Sequence, residues 1–345
     1  ELLVIGVGPA GLGAAIEAAR RAGEVMIVDE QTEPGGQLFK QLHKFFGSRE
    51  HYAGVRGFDI GRRLLDEADE LGIRSLLSTR CLGIFPDRRV SLLGPVTRVS
   101  TVQPETIVIA TGGVERGAAF PGWTLPGVMT AGAAQTFTNI HRVLPGERIL
   151  MMGSGNVGLI VAYQLLQAGA EVVGVVEAKE YLGGYEVHGA KLLRAGVPIM
   201  TGYTVSSAGG NGRLEEVVLS AVDSSCTIIP ETEEVLKADT LCLAVGLDSS
   251  NKLPSMAGCR LVYSYDFGSN VPIHDLHMET TVPGIFVAGD AAGVEEANTA
   301  LEEGRIAGIG AALRLGKTPE YDSGSGTHEI WRRLDALRGG SFGAR

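Results

Sequence analysis

The sequence predicts an α/β protein of two doubly wound domains, the second inserted into the first. Three observations carry that prediction. A strand–glycine loop–helix–strand unit opens the chain, the same unit returns near its middle, and a further apolar strand runs into a long amphipathic helix near its end.

The first unit is the apolar run Leu2–Ile5 ending in Gly6, a helical pattern from Ala10 to Ala22, and a second apolar run at Val25–Val28. The second is Arg148–Met152, Val157–Ala168 and Glu171–Val176. Further buried-strand candidates are Thr106–Ala110, Thr240–Val245 and Ile285–Ala288, the last leading into a helix over Ala297–Leu315. Ser206–Gly212 reads as a turn between strands, and Asp322–Thr327 as a loop before a short helix over Glu329–Arg338.

Composition sets the outer limits. At 345 residues, 44% of them hydrophobic, the chain suits two domains that each bury a core. Its 49 glycines show no collagen-like period and point to tight turns and close backbone approaches. A net charge of −10 argues against nucleic acid or an anionic membrane as partner. No apolar run approaches the roughly 20 residues of a membrane span. Cys81, Cys226, Cys242 and Cys259 have neither metal-ligand nor CxxC spacing, so no metal site and no disulfide framework is expected, and the cytoplasm is the expected location. Glu1 stands immediately before an apolar run, so residues preceding it are expected.

Gly6-Val7-Gly8-Pro9-Ala10-Gly11 and Gly153-Ser154-Gly155-Asn156-Val157-Gly158 both fit GxGxxG. With 49 glycines in 345 residues about one chance match is expected, so context has to decide. Each match follows an apolar strand and opens a helix, and each precedes an acid at a strand end, Asp29 and Glu177. In this arrangement the first glycine makes the tight turn, the second admits a pyrophosphate, and the third lets helix and strand pack closely. The phosphates face the positive end of a helix dipole, and the acid accepts hydrogen bonds from a ribose hydroxyl. Glu30 adjoins Asp29 and competes for the first acidic position; counting from Gly6 favours Asp29. At the second loop Glu177 disfavours a 2′-phosphate, and only Lys179 is nearby to offset it, so NAD(H) or another adenine nucleotide is expected rather than NADP(H).

Three further segments resemble the two-dinucleotide-binding flavoprotein superfamily, with its Rossmann-like FAD- and NAD(P)-binding domains. Ile107-Val108-Ile109-Ala110-Thr111-Gly112-Gly113 is similar to its ATG strand, and Thr281–Ala288 with Gly289 and Asp290 to its late FAD fingerprint. Pro34-Gly35-Gly36-Gln37-Leu38 is similar to the loop beside the isoalloxazine. The resemblance implies FAD held by the first loop and these segments, with Asp290 on a ribityl hydroxyl. It also implies a discontinuous FAD-binding domain over residues 1–115 and 250–345, and an inserted nucleotide-binding domain over 116–249. The cysteine pair of the superfamily's disulfide reductases is missing from both of its usual positions.

A narrower resemblance rests on Pro126–Gln135 (PGVMTAGAAQ), on Glu30–Leu38, and on Glu295–Gly308, which contains EEGRIAG. These look like the FAD/NAD-binding subunits of heteromeric, dye-linked amino-acid dehydrogenases and oxidases, the group of sarcosine oxidase alpha, proline dehydrogenase alpha, opine oxidase A and hydrogen cyanide synthase B. The resemblance implies a partner, a beta-type flavoprotein subunit on which the amine is oxidised. Any 2Fe–2S centre would lie on a separate iron–sulfur subunit, because no cysteine follows Cys259.

No acid–base residue stands out, so the catalytic residues are left unassigned, as suits an enzyme whose cofactor does the chemistry. The segment from His43 to Phe58, rich in His, Phe, Tyr and Arg, reads equally as a wall of the flavin site or as a docking surface. Glu295, Glu296 and Glu303 read as touching the flavin or facing solvent. Three functions stay open: an electron-transferring subunit of an amine dehydrogenase, a stand-alone NADH-dependent flavin oxidoreductase, and a nucleotide-binding scaffold without catalysis.

Overall fold

The computed structural model describes residues 1–21, 23–45, 49–317 and 320–339. The chain divides into two compact units, Glu1–Val114 with Asp248–Arg345, and Glu115–Leu247. It first builds β1 (Leu2–Ile5), α1 (Pro9–Ala19), β2 (Val25–Val28), α2 (Gly57–Glu70), β3 (Arg74–Leu76), β4 (Arg80–Ile84), β5 (Val90–Leu93), β6 (Val99–Val102) and β7 (Thr106–Ile109). Strand β8 (Gly113–Glu115) leads to β9 (Val128–Thr130), α3 (Ala131–Asn139), β10 (Arg148–Met152), α4 (Asn156–Gln167), β11 (Glu171–Glu177), α5 (Glu186–Arg194) and β12 (Ile199–Thr201). Then come β13 (Tyr203–Gly209), β14 (Glu216–Ala221), β15 (Glu234–Lys237) and β16 (Thr240–Leu243). Strand β17 (Leu247–Ser249) returns to α6 (Lys252–Met256), β18 (Leu261–Ser264), β19 (Ser269–Pro272), β20 (Ile285–Val287), α7 (Ala297–Arg314) and α8 (Glu320–Arg338).

Both units are α/β and Rossmann-like, and each is built the same way. The first holds a parallel sheet in the order β20-β7-β1-β2-β3. Successive residues of a strand face opposite sides, so Leu2 and Val4 of β1 meet α1 and α7 while Leu3 and Ile5 meet the antiparallel β4–β6 sheet. A strand covered on both faces is apolar almost throughout, which is why β1 reads as an unbroken hydrophobic run and β7 as one after Thr106. The second unit holds the parallel order β12-β11-β10-β16-β9. There Ile149 and Met151 face the helices, and Leu150 faces the antiparallel β13–β15 sheet.

Helices α1 and α7 cross at backbone distance. A Cβ at Gly304 would collide with the Ala10 carbonyl, and one at Gly308 with the Ala14 carbonyl, so glycine is the residue that fits. Among the described residues, no helix is long and apolar enough to cross a membrane.

Two local expectations are corrected. Residues 206–209 belong to β13, where Val205 and Ala208 pack inward against β14 and outweigh the poor strand propensity of serine and glycine. Residues 322–327 belong to α8 rather than to a loop. That helix docks Ile330 and Leu334 into the core, and tertiary packing overrides its Gly/Ser-rich start.

Candidate functional site

Because the first sheet is parallel, β1, β2, β7 and β20 deliver their carboxyl ends to one edge. Gly6, Asp29, Ala110 and Gly289 follow those strands and meet there. In the first glycine loop the three glycines have separate reasons. A Cβ at Gly6 (φ +109°) would collide with the Ala110 carbonyl, and one at Gly11 with the Gly6 carbonyl. A Cβ at Gly8 would meet nothing within 4 Å. Gly8 caps α1, with Pro9 at its first position, where a missing N–H costs the helix nothing. The open space at Gly8 therefore lies at a helix N-terminus, whose first-turn amides have no carbonyl partner within the helix.

Asp29 is fixed beneath this loop. Its Oδ2 accepts from the Val7 N–H at 2.7 Å and its Oδ1 from the Gln31 N–H at 2.8 Å. Glu30 turns outward and pairs with Arg80 at 2.8 Å on the surface, so the structure brings Asp29 and not Glu30 to the loop. Gly35 donates its N–H to the Val7 carbonyl at 2.9 Å. Gly36 (φ +56°) lies so close that a Cβ there would be 2.9 Å from the Gly8 Cα. In the same segment Leu38 is buried and Gln37 exposed. From the other side, Gly289 (φ +68°) sits where a Cβ would come within 2.8 Å of the Ala10 Cβ. Asp290, half-buried, accepts from the Glu295 N–H at 3.4 Å, and its Cβ lies 3.5 Å from where a Gly113 Cβ would be. A Cβ at Gly112 (φ +71°), next to Thr111, would meet nothing within 4 Å.

Behind Gly289 lies a charge cluster that the sequence did not disclose. Glu302 and Glu303 are buried in α7. Glu302 pairs with Arg305 at 2.6 Å and with Arg333 of α8 at 2.8 Å. Arg338 of α8 reaches Glu295 at 2.7 Å and Glu303 at 2.6 Å. The other Glu303 oxygen accepts the Gly289 N–H at 2.9 Å. Burial pushes the Glu303 carboxyl up to about 8, with Arg338 opposing and Glu295 adding to the rise. His51 lies 3.8 Å from Glu302, and burial holds it below the usual histidine range against the pull of that carboxylate. Two acids in an otherwise Ala/Gly-rich helix were the available signal, because buried carboxylates require cations.

Residues 43–45 and 49–58 belong to the first unit. Phe45 and His51 are buried, and Phe45 exchanges backbone hydrogen bonds with Gly54 and Val55. The wall reading therefore fits these two residues better than the docking one; Phe46 lies outside the described residues.

The second loop repeats the division of labour. A Cβ at Gly153 would collide with the Ala244 carbonyl, one at Gly158 with the Gly153 carbonyl, and one at Gly155 would meet nothing within 4 Å. Asn156 begins α4, and Val157 beside it is exposed. Glu177 Oε2 accepts from the Ser154 N–H at 2.9 Å and its hydroxyl at 2.7 Å, and Oε1 from the Lys179 N–H at 3.0 Å. Gly183 donates to the Ser154 hydroxyl at 2.9 Å, and the Tyr185 N–H to Asn156 Oδ1 at 2.8 Å.

All four cysteines are free thiols. Burial pushes Cys242 up to about 12 and Cys81 up to about 11, so neither is poised as a thiolate.

Both loops thus fit a dinucleotide: an open glycine cradle at a helix N-terminus, with a carboxylate fixed at the next strand end. Residues 1–304 match the pyridine nucleotide-disulphide oxidoreductase family. The chain is 32% identical over 343 residues to the opine oxidase A protein of Rhizobium meliloti (strain 1021), itself named as a subunit, covering 92% of this chain and 72% of that protein. It is 31% identical over 357 residues to hydrogen cyanide synthase subunit HcnB of Pseudomonas aeruginosa, covering 97% and 76%. Among solved structures, L-proline dehydrogenase from P. horikoshii superposes with a TM-score of 0.73 at 21% identity, covering 97% of this chain and 58% of that one, a likeness of fold.

Proposed function

The chain belongs to the pyridine nucleotide-disulphide oxidoreductase family, and from that premise we propose that it is the FAD-carrying, electron-transferring subunit of a heteromeric amino-acid or secondary-amine dehydrogenase. The family implies an FAD-dependent oxidoreductase that binds FAD and a pyridine nucleotide. One observation carries the finer reading: Gly8, Asp29 and Asp290 share one sheet edge, open at Gly8, with no cysteine pair beside them. In this reading the first-turn amides of α1 bind the FAD pyrophosphate, Asp29 orients the adenosine ribose, and Asp290 accepts a hydrogen bond from a ribityl hydroxyl. Bound FAD supplies the two-electron redox chemistry. The relatives are named as subunits, which supports a companion chain, in this reading a beta-type flavoprotein on which the amine is oxidised, with any iron–sulfur centre on a third.

The inserted unit holds NAD(H) or another adenine nucleotide in this reading, because Glu177 would repel a 2′-phosphate. Calorimetric titration with NADH and NADPH tests this; tighter binding of NADPH would overturn it. The subunit reading is tested with the purified chain. It should be yellow and release FAD on denaturation, turn over neither NADH with a dye nor an amine unaided, and oxidise an amine once its companion is added. Rapid NADH–dye turnover by the chain alone would favour a stand-alone flavin oxidoreductase instead.

A further inference from the structure

We propose that Arg338, on the C-terminal helix, is a positioning residue for the flavin site: it clasps Glu295 and Glu303, the two residues that hold the Asp290 loop from either end, and so keeps that loop seated on the first glycine loop. The inference rests on the FAD reading for what the loop contacts, and on geometry for the clasp itself.

The connections form a closed bracket. One Arg338 nitrogen, Nη2, lies 2.7 Å from Glu295 and 2.6 Å from Glu303, and Nε lies 3.1 Å from both Glu295 oxygens. Glu303 uses its other oxygen to hold the N–H of Gly289, the residue before Asp290. Glu295 supplies the backbone N–H that faces the Asp290 carboxylate. A planar guanidinium can serve two carboxylates at once, which a point-charge ammonium cannot do with the same geometry. Gly289 in turn packs against Ala10 in the first turn of α1, so displacement of the loop is felt in the glycine cradle. Glu303 is too deeply buried for water to replace the guanidinium. Without Arg338, one Glu303 oxygen would lose its hydrogen-bond donor, the Glu295 carboxylate would lose its anchor, and the bracket would open.

The test uses the full chain carrying Arg338→Met, with Glu303→Gln alone and in combination. Glutamine keeps an acceptor for the Gly289 N–H and needs no cation, so it separates loop positioning from the loss of an ion pair. Hydrogen exchange of the 289–296 amides is measured without added flavin, and FAD affinity is measured by titration. Arg338→Met should speed exchange in this segment and weaken FAD about tenfold or more, the scale of a lost hydrogen bond to a charged group. Adding Glu303→Gln should restore most of both. Unchanged 289–296 exchange in a folded Arg338→Met protein overturns the clasp. Faster exchange with unaltered FAD affinity overturns its link to the flavin. If Arg338→Met does not fold, Arg338→Lys serves, and exchange should then fall between the wild type and a protein whose α8 is undocked. If the wild type takes up no FAD, the FAD reading falls, while the exchange measurement still decides the clasp.

Discussion

The two glycine loops are built to one plan and completed differently. In each, one glycine avoids a strand-end carbonyl, one avoids the first glycine, and one faces open space. The first site then draws on segments spread along the chain: Asp29, Gly36, Gly113, Gly289 and Asp290, with Arg338 behind them. The second closes on its own neighbourhood, where Ser154 links Glu177 to Gly183 and Asn156 receives Tyr185. At the position of Ser154 the first loop has Val7, wholly buried, whose backbone alone meets the acid. A site assembled from distant segments is coupled to the stability of its whole unit; a locally completed one can adapt with little consequence elsewhere.

The largest effect should come from the glycines that avoid backbone. Gly11→Ala or Gly158→Ala forces a Cβ into a carbonyl and should cost about 1–3 kcal/mol or more in urea unfolding, in whichever unit carries it. Comparable stability of either variant and wild type would break the shared plan. Next come the open glycines. Gly8→Ala should fold with a change of about 0.5 kcal/mol or less, yet lose FAD on gel filtration, because its methyl group projects into the cradle. Gly155→Ala should keep its flavin and weaken nucleotide binding only. Flavin loss from Gly155→Ala would show that the sites are not separable.

A pH series sharpens the difference in how the sites are completed. Glu303 sits at about 8 in the fold against an ordinary 4.5, so the native state keeps its proton where the unfolded chain has lost it. Its contribution to stability is therefore complete below about 4.5, falls as pH rises to about 8, and is flat beyond. Glu303→Gln removes that slope, so the stability of the variant relative to wild type should climb between about pH 5 and 8. Parallel curves across that window would contradict a buried, proton-holding Glu303.

The sequence discloses what is dictated locally. Steric need for glycine at Gly6, Gly11, Gly153 and Gly158, the spacing to Asp29 and Glu177, and strands apolar on both faces are all short-range patterns. Asp29 and Glu30 are adjacent and point to opposite sides; the count from Gly6 favours Asp29, and the structure turns Asp29 to the loop and Glu30 to Arg80. The Arg338 clasp joins residues from two helices and a loop, and no periodicity marks it. Residues 322–327 look like a loop because helix stability there comes from docking Ile330 and Leu334, contacts invisible to propensity. Phe45 and His51, by composition fit for an interface, were likewise hidden by the local turn that buries them.

The smallest expected effect isolates one of the two side chains, Ser154 and Asn156, that distinguish the second loop. The Ser154 hydroxyl donates to Glu177 and accepts from Gly183, so Ser154→Ala removes one donor and one acceptor while leaving the backbone hydrogen bond from Ser154 to Glu177 intact. Glu177 keeps the Lys179 N–H as well. The loss should therefore be about 1 kcal/mol of unfolding free energy, borne mainly by the Gly183 N–H left without its acceptor. Flavin content should be unchanged, because Gly6, Gly8, Asp29, Gly289 and Asp290 all belong to the first unit. Nucleotide affinity should fall two- to fivefold, of the order of that same hydrogen bond, as the 183–185 turn loosens over Asn156. A drop in flavin content equal to the drop in nucleotide affinity would mean that the second loop supports the first site after all, and that the two are completed in common.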